Sequence, residues 1–346
     1  MTKLKVAIIG CGGRGCGHAE GYAAAADVEV VACADPAVEN ATTLAAQRKI
    51  KFVYHDYRRM LREQKPDIVS ICTWTGLHTE MAVAAAESGA RAIFCEKPMS
   101  TTWADAKRIY ATCKERGVML AFCHQRRFGA PFVRARELIQ EGAIGRLVRM
   151  EAYCDNLFDW GTHWFDMMFF YNNEAPAEWV MGQIDCDVEK NIFGAPVETR
   201  GISLVHWQNG VDGLMITGSS KLGACANRLL GTDGMIELAQ YEGTPMRIWR
   251  KGKSDWKTLD LSGATQHKDH NVAAILDVIE AFKQEKKSRL DGDHALAATE
   301  LIFATYESAR RRQKISLPLD VEDASLVAML ERGDVKWKKQ PAPKTK

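Results

Sequence analysis

Three stretches of this chain hold residue types and spacings that can do chemistry. The first is Gly10-Cys11-Gly12-Gly13-Arg14-Gly15, set between an apolar run at 3–9 and an Ala-rich segment, with Asp35 closing a second apolar run twenty residues after Gly15. Gly10 allows a sharp turn out of a strand, Gly12 and Gly13 let a pyrophosphate approach a helix N-terminus, and Gly15 lets the helix pack close to the strand. Arg14 can assist the pyrophosphate, and a carboxylate at Asp35 can accept hydrogen bonds from the adenosine ribose hydroxyls. The expected ligand is NAD rather than NADP, because a 2′-phosphate beside Asp35 is repelled and the next residue is Pro36, not an arginine.

The second stretch is Glu96-Lys97-Pro98, directly after the apolar run 90–95. It falls at the carboxyl end of a parallel strand, where open α/β sheets bind ligands, and a lysine there can reach a reacting centre. A solvated surface lysine is the competing reading. The third stretch, 158–171, embeds Asp159, His163 and Asp166 among large apolar side chains. If a buried helix begins near Asp159, then Asp159 and His163 share a face and Asp166 lies three residues on. Burying two carboxylates and an imidazole costs several kcal/mol unless they are paired, so the cluster is either a self-satisfied core network or a working site. No further ligand cluster accompanies it, and no metal is assigned. Thr73, Trp74 and His78, which follow the apolar run 68–72, fall at the same sheet edge as Lys97 and can touch the cofactor. Arg127 is a candidate contact to substrate or cofactor, with a surface salt bridge as the alternative.

These residues need a scaffold, and the apolar periodicity supplies one. Strands at 51–54, 68–72, 90–95 and 118–123 alternate with helices at 79–88 and 104–116, which implies a parallel, doubly wound sheet with right-handed crossovers. Its domain runs over 1–123. After a helix at 131–140, β-forming runs follow at 147–153, 178–184, 202–207, 211–218, 235–238 and 246–249, with most links too short for crossover helices. Antiparallel pairing is expected, in a large open sheet with helices on one face. Its other face calls for cover, and a partner subunit supplies it in a homodimer or homotetramer. Helices at 271–283 and 295–311 complete an α+β domain over 124–320, and the Lys- and Pro-rich tail from 336, within 321–346, reads as loosely ordered.

Composition narrows the partners. With 346 residues there is room for two domains; 46 Lys plus Arg against 44 Asp plus Glu leave a net charge of +2, which gives no sign of a nucleic-acid or membrane surface. No signal-type apolar segment precedes the first strand and no run reaches the ~20 residues of a membrane span, so a soluble, cytoplasmic chain is expected. The ten cysteines contain no CxxC and several sit in apolar runs, as reduced core residues do.

In the order of its motifs the chain resembles the Gfo/Idh/MocA oxidoreductases. The glycine turn, Glu96-Lys97-Pro98, Gln125-Arg126-Arg127-Phe128, Gly142-Ala143-Ile144-Gly145 and the Asp-x-x-x-His spacing of Asp159 and His163 all carry the likeness. The resemblance implies a Rossmann domain followed by an α+β substrate domain, NAD(P), and oxidation or reduction of a sugar, polyol or glycoside hydroxyl carbon. It implies Lys97 as a contact to the substrate hydroxyl and the nicotinamide ribose, His163 as proton acceptor, and Asp159 as a holder of substrate or orienter of the imidazole. It also implies a cis Lys97–Pro98 bond. Those residue types suit such a reaction. Hydride leaves a carbinol only if the hydroxyl proton also leaves, an imidazole titrates in the right range to take it, and a cation steadies the developing alkoxide.

Many relatives of this kind place a loop of tens of residues, often ending in a glycine pair, before the Asp-x-x-x-His segment. Here only residues 153–158 intervene. A more open site is expected, or one completed by a neighbouring subunit, able to take a glycoside larger than a monosaccharide. The same residues also suit a redox-neutral NAD-dependent glycosidase, in which transient oxidation permits elimination of the aglycone. A non-catalytic NAD-binding sensor is the third reading, though such a protein has no need of Lys97 and His163.

Overall fold

The computed structural model describes residues 3–218, 226–238, 246–261 and 269–338, and it divides the chain into two compact units. The first combines Met1–Phe128 with His267–Leu296; the second combines Gly129–Gln266 with Ala297–Lys346.

The first unit is built on strands β1 (Leu4–Ile9), β2 (Val28–Ala34), β3 (Phe52–Tyr54), β4 (Ile68–Ile71), β5 (Ala92–Cys95) and β6 (Met119–Phe122). Helices α1 (Gly13–Ala23), α2 (Val38–Arg48), α3 (Tyr57–Gln64), α4 (His78–Glu87) and α5 (Trp103–Glu115) connect them in turn. All pairs are parallel, in the order β3-β2-β1-β4-β5-β6. Strand order reverses between β1 and β4, the switch point where such sheets bind ligands. Both faces are covered, which is why β4 and β5 are buried at every residue rather than at alternate ones. One face is closed by helix α8 (His270–Lys283), whose Ala274, Ile275, Val278 and Ile279 join Ala19, Tyr22 and Phe94 in one apolar core.

In the second unit, α6 (Ala130–Gln140) leads into β7 (Leu147–Cys154), and α7 (Gly161–Tyr171) into β8 (Ala177–Asp185). A two-stranded ribbon, β9 (Asn191–Ile192) and β10 (Ala195–Pro196), is followed by β11 (Arg200–Trp207), β12 (Asp212–Thr217), β13 (Ala226–Gly231), β14 (Gly234–Leu238), β15 (Arg247–Arg250) and β16 (Lys257–Thr258). Helix α9 (Gly292–Arg311), β17 (Ile315–Ser316) and α10 (Ser325–Arg332) follow among the described residues. Nine strands form one sheet in the order β16-β15-β14-β13-β7-β12-β11-β8-β17. The pairing departs from the antiparallel expectation at one place: β7 and β12 run parallel, because the strands that follow β7 in sequence are inserted on both sides of it.

The nine-stranded sheet has two unlike faces. On one, Ala152, Met150, Val180, Val205 and Met215 are buried, and Ser203 Oγ meets Thr305 Oγ1 of α9 at 2.8 Å. On the other, Met181 stands opposite Leu204 and Leu204 opposite Leu214, and Ile202 opposite Ile216; Met181 is 54% and Ile202 45% exposed. The same face continues into charge pairs that join Glu151, Arg228, Glu237 and Arg247 across four strands. The expected tail lies mostly outside the described residues, which end at 338. All nine cysteines among the described residues are free thiols, and no helix among them is long and apolar enough to cross a membrane.

Candidate functional site

The glycine turn has the backbone its residue types require. Gly10 takes a φ of +90°, and a Cβ there would sit 2.7 Å from the Cys72 carbonyl oxygen. At Gly15 a Cβ would lie 2.1 Å from the Gly10 carbonyl oxygen, so helix and strand come together only over glycine. Gly12 and Gly13 face open space, where a Cβ would meet nothing within 4 Å. Helix α1 begins there with no side-chain cap and no acid in its first turn, leaving amide donors for an anion.

Asp35 follows directly on the last residue of β2, Ala34. Its Oδ2 accepts a hydrogen bond from the Cys11 amide and its Oδ1 one from the Ala37 amide, each at 2.8 Å. A cleft of about 330 Å³ opens beside these groups, lined by Gly10, Gly12, Asp35, Thr73 and Trp74 together with Asn40, His55, Tyr57, Leu77 and Met81. The Trp74 indole is 67% exposed at its rim. Asn40, His55 and Tyr57 carry no signal in sequence that singles them out; they reach the cleft because β2 and β3 are neighbours and both end on it.

Other residues of the same group lie away from that cleft. Arg14 points its Nε at Glu96 Oε1, with Nη2 3.4 Å from Cys123 Sγ and 3.2 Å from Asn271 Oδ1. Glu96 is buried, and its Oε1 also meets His18 Nε2 at 3.0 Å; the far ring nitrogen, Nδ1, meets Ser70 Oγ at 2.7 Å, and the imidazole stacks on Phe94. Burial alone raises a carboxyl's pKa, but here the bonds and charges of His18 and Arg14 outweigh it and hold Glu96 at about 2. Glu96 thus ties helix α1 to the end of β5, one residue before the half-buried Lys97. The Lys97–Pro98 bond is cis.

His78, the first residue of α4, is fully buried, with Nδ1 2.9 Å from the Pro98 carbonyl oxygen and Nε2 3.1 Å from that of Thr73. Burial, the largest influence, pushes its pKa down despite the two carbonyls. It therefore spans the chain after Lys97 and the chain that lines the cleft. Arg127, in the turn Gln125–Phe128, is 1% exposed, which removes the surface-salt-bridge reading. His18, Glu96 and Cys123 bring three donor atoms within 4.8 Å of one another. Arg14 already bonds both Glu96 and Cys123, so a cation there would meet a guanidinium, and the group suits an ion pair better than a metal.

In the second unit, α7 is buried at every position from Gly161 to Tyr171, the pattern of a helix apolar all round. His163 is 3% and Asp166 1% exposed. The helix starts at Gly161 rather than near Asp159, so the shared helical face expected of Asp159 and His163 is not present. Asp159 lies instead in the preceding turn, half-buried. Asn156 is the reason: its Oδ1 accepts from the Asp159 amide at 2.6 Å and its carbonyl from the Gly161 amide at 2.8 Å, which closes a turn before the first helical bond. Helical contact begins with the His163 amide donating to the Trp160 carbonyl at 3.1 Å.

Residues 4–124 match the family described as "Oxidoreductase family, NAD-binding Rossmann fold". D-Glucoside 3-dehydrogenase of Escherichia coli is 34% identical over 147 residues, which are 42% of each chain. Levoglucosan dehydrogenase of Pseudarthrobacter phenanthrenivorans is 34% identical over 179 residues, 47% of this chain and 43% of that one. The chain therefore matches less than half the length of these relatives. Among solved structures, an oxidoreductase domain protein from Kribbella flavida superposes with a TM-score of 0.80 at 18% identity, covering 92% of this chain and all of that one. At that identity the likeness is one of fold.

Proposed function

We propose that this chain, whose residues 4–124 match the NAD-binding Rossmann family of oxidoreductases, is a Gfo/Idh/MocA-type NAD-dependent dehydrogenase acting on a hydroxyl carbon of a sugar, polyol or glycoside. The observation that carries the proposal is the cleft at the strand switch point, where Gly10, Gly12 and Asp35 meet at an uncapped helix N-terminus. Those residues fit a dinucleotide: open space over Gly12 and Gly13 for a pyrophosphate, free first-turn amides to bind it, and a carboxylate for ribose hydroxyls. Bound NAD supplies the hydride acceptor or donor.

The chain's own residues do the rest. Asp35 binds the adenosine ribose and disfavours a 2′-phosphate. Lys97 presents a cation that steadies negative charge on the substrate oxygen. His163 accepts the hydroxyl proton and Asp159 holds the substrate or the imidazole. Assigning Lys97 and His163 to one reaction rests on the family resemblance. Glycosides belong in the substrate class because the chain is similar over 147 and 179 residues to enzymes named D-glucoside 3-dehydrogenase and levoglucosan dehydrogenase, and because only residues 155–160 separate β7 from α7. Self-association through the open sheet face is part of the proposal, supported by the exposed Met181 and Ile202 beside an ordered charge ladder.

Purified protein is to be given NAD and a panel of sugars, polyols and glycosides while reduced nicotinamide is followed by absorbance. Stoichiometric NADH with one class of substrate is the expected result. Glycoside consumed with no net NADH would replace this reading by the redox-neutral glycosidase, and NAD binding without turnover of any compound would replace it by the sensor.

A further inference from the structure

Glu198 lies between β10 and β11 and is fully buried. Besides its own amide, its carboxylate accepts from three neutral donors in three separate segments. Oε1 accepts from the Leu157 amide at 2.6 Å and from Thr217 Oγ1, at the end of β12, at 3.1 Å; Oε2 accepts from Tyr306 Oη of α9 at 2.7 Å. A carboxylate taken out of water without a cation is costly even with such bonds, and an apolar side chain of equal volume would pack the same space without that cost. Its presence calls for a reason beyond packing.

The reason lies in what Glu198 holds. Leu157 precedes Phe158 and Asp159, and Asn156 on its other side accepts from the Asp159 and Gly161 amides. The Glu198–Leu157 bond therefore fixes a turn whose remaining bonds orient Asp159 and begin the helix bearing His163. We propose that Glu198 is the positioning residue of the 156–160 turn, and that its ionised carboxylate sets the placement of Asp159 and His163. This rests on the reading above, in which those two residues meet the substrate.

The charge state of the group supports the geometry. Burial, the largest influence, raises the Glu198 carboxyl to about 7, against the lowering effect of its bonds from Tyr306, the Leu157 amide, its own amide and Thr217. The titratable groups facing it are Tyr306 on α9 and Cys186 after β8, with Cys154 at the end of β7 acting on Tyr306. Burial and the Glu198 charge push Tyr306 well up and Cys186 to about 12, so both keep their protons where Glu198 loses its own. When Glu198 is protonated on Oε2, that O–H donates to Tyr306 Oη, whose own hydrogen must turn away, and Oε1 holds the Leu157 amide as a weaker, neutral acceptor.

Glu198→Gln keeps the volume and mimics the protonated form. In the whole protein, the backbone amide resonances of Leu157 and Asp159 should titrate together with a midpoint near 7, and this titration should vanish in E198Q. With a substrate from the panel, kcat of E198Q should match wild type at pH about 6 and fall about tenfold below it at pH about 8.5, while KM for NAD stays unchanged. Amides that do not respond to pH, or that titrate equally in E198Q, overturn the proposal. So does an E198Q enzyme with wild-type kcat and pH profile and only a lower Tm. If the wild type turns over nothing on the panel, the dehydrogenase reading fails while the amide titration still decides the positioning role. Should E198Q not fold, Tyr306→Phe removes one bond to the carboxylate and should raise the amide midpoint; an unmoved midpoint overturns the proposal.

Discussion

Asp35 serves both the turn and the cleft. Its oxygens hold the Cys11 and Ala37 amides, and the residue lines the cleft with acceptor capacity to spare. Asp35→Ala should weaken NAD binding about tenfold, the scale of one hydrogen bond to a charged group, and weaken NADP binding less because the repulsion goes too. Titrating each dinucleotide by fluorescence checks this, and an unchanged NAD-to-NADP ratio would remove Asp35 from cofactor choice. His163→Ala should lower kcat by about 10²–10⁴, the span of general-base effects, with NAD affinity unchanged. Undiminished NADH formation would mean that another group takes the proton.

At the scale of elements, the turn between β1 and α1 exists because two backbones approach where no side chain fits. Gly15→Ala puts a Cβ at 2.1 Å from a carbonyl oxygen, so α1 must tilt away. A loss of about 2 kcal/mol or more in stability is expected, together with loss of NAD binding, measured by urea unfolding and by dinucleotide titration. The knot at Glu198 makes a second prediction here. Its folded carboxyl ionises at about 7, above the ordinary range of an unfolded glutamate, so the native state holds the proton more tightly. Its contribution is therefore fullest below about pH 4.5 and declines as pH rises to about 7, by roughly 3 kcal/mol in all. Wild type should lose stability between about pH 5 and 7.5 more steeply than E198Q does, seen as a gap in urea midpoints that opens in favour of E198Q as pH rises. Parallel curves would mean that Glu198 is charged throughout.

For the molecule as a whole, the proposed self-association rests on the open face of the nine-stranded sheet. Exposed apolar side chains on a sheet face, with Leu204, Leu214 and Ile216 between them, make a surface that water disfavours. Met181→Asp combined with Ile202→Asp should convert an oligomer to a monomer in sedimentation equilibrium, without disturbing NAD binding by the first unit. A wild-type chain that is monomeric at high concentration would leave that face to another partner.

What the sequence by itself determined is what local sterics and periodicity decide. Gly10, Gly15 and Asp35 lie within one strand-turn-helix-strand unit, where the turn, the close approach and the acid are all set by near neighbours. The parallel sheet followed by a mostly antiparallel one is likewise written in strand length, spacing and linker length. The tertiary structure decided which distant segments meet. Apolar periodicity says that a face is covered but not by what, so the return of α8 to the first unit and the parallel β7–β12 pair were hidden. The same limit applies to buried charge. Glu96 as the anchor of His18 and Arg14 is invisible in a tripeptide, and Glu198 draws its three donors from 19, 41 and 108 residues away. A carboxylate in a sequence reads as surface. Only the packed chain, by removing water and bringing neutral donors to it, makes Glu198 the group that holds the turn before His163.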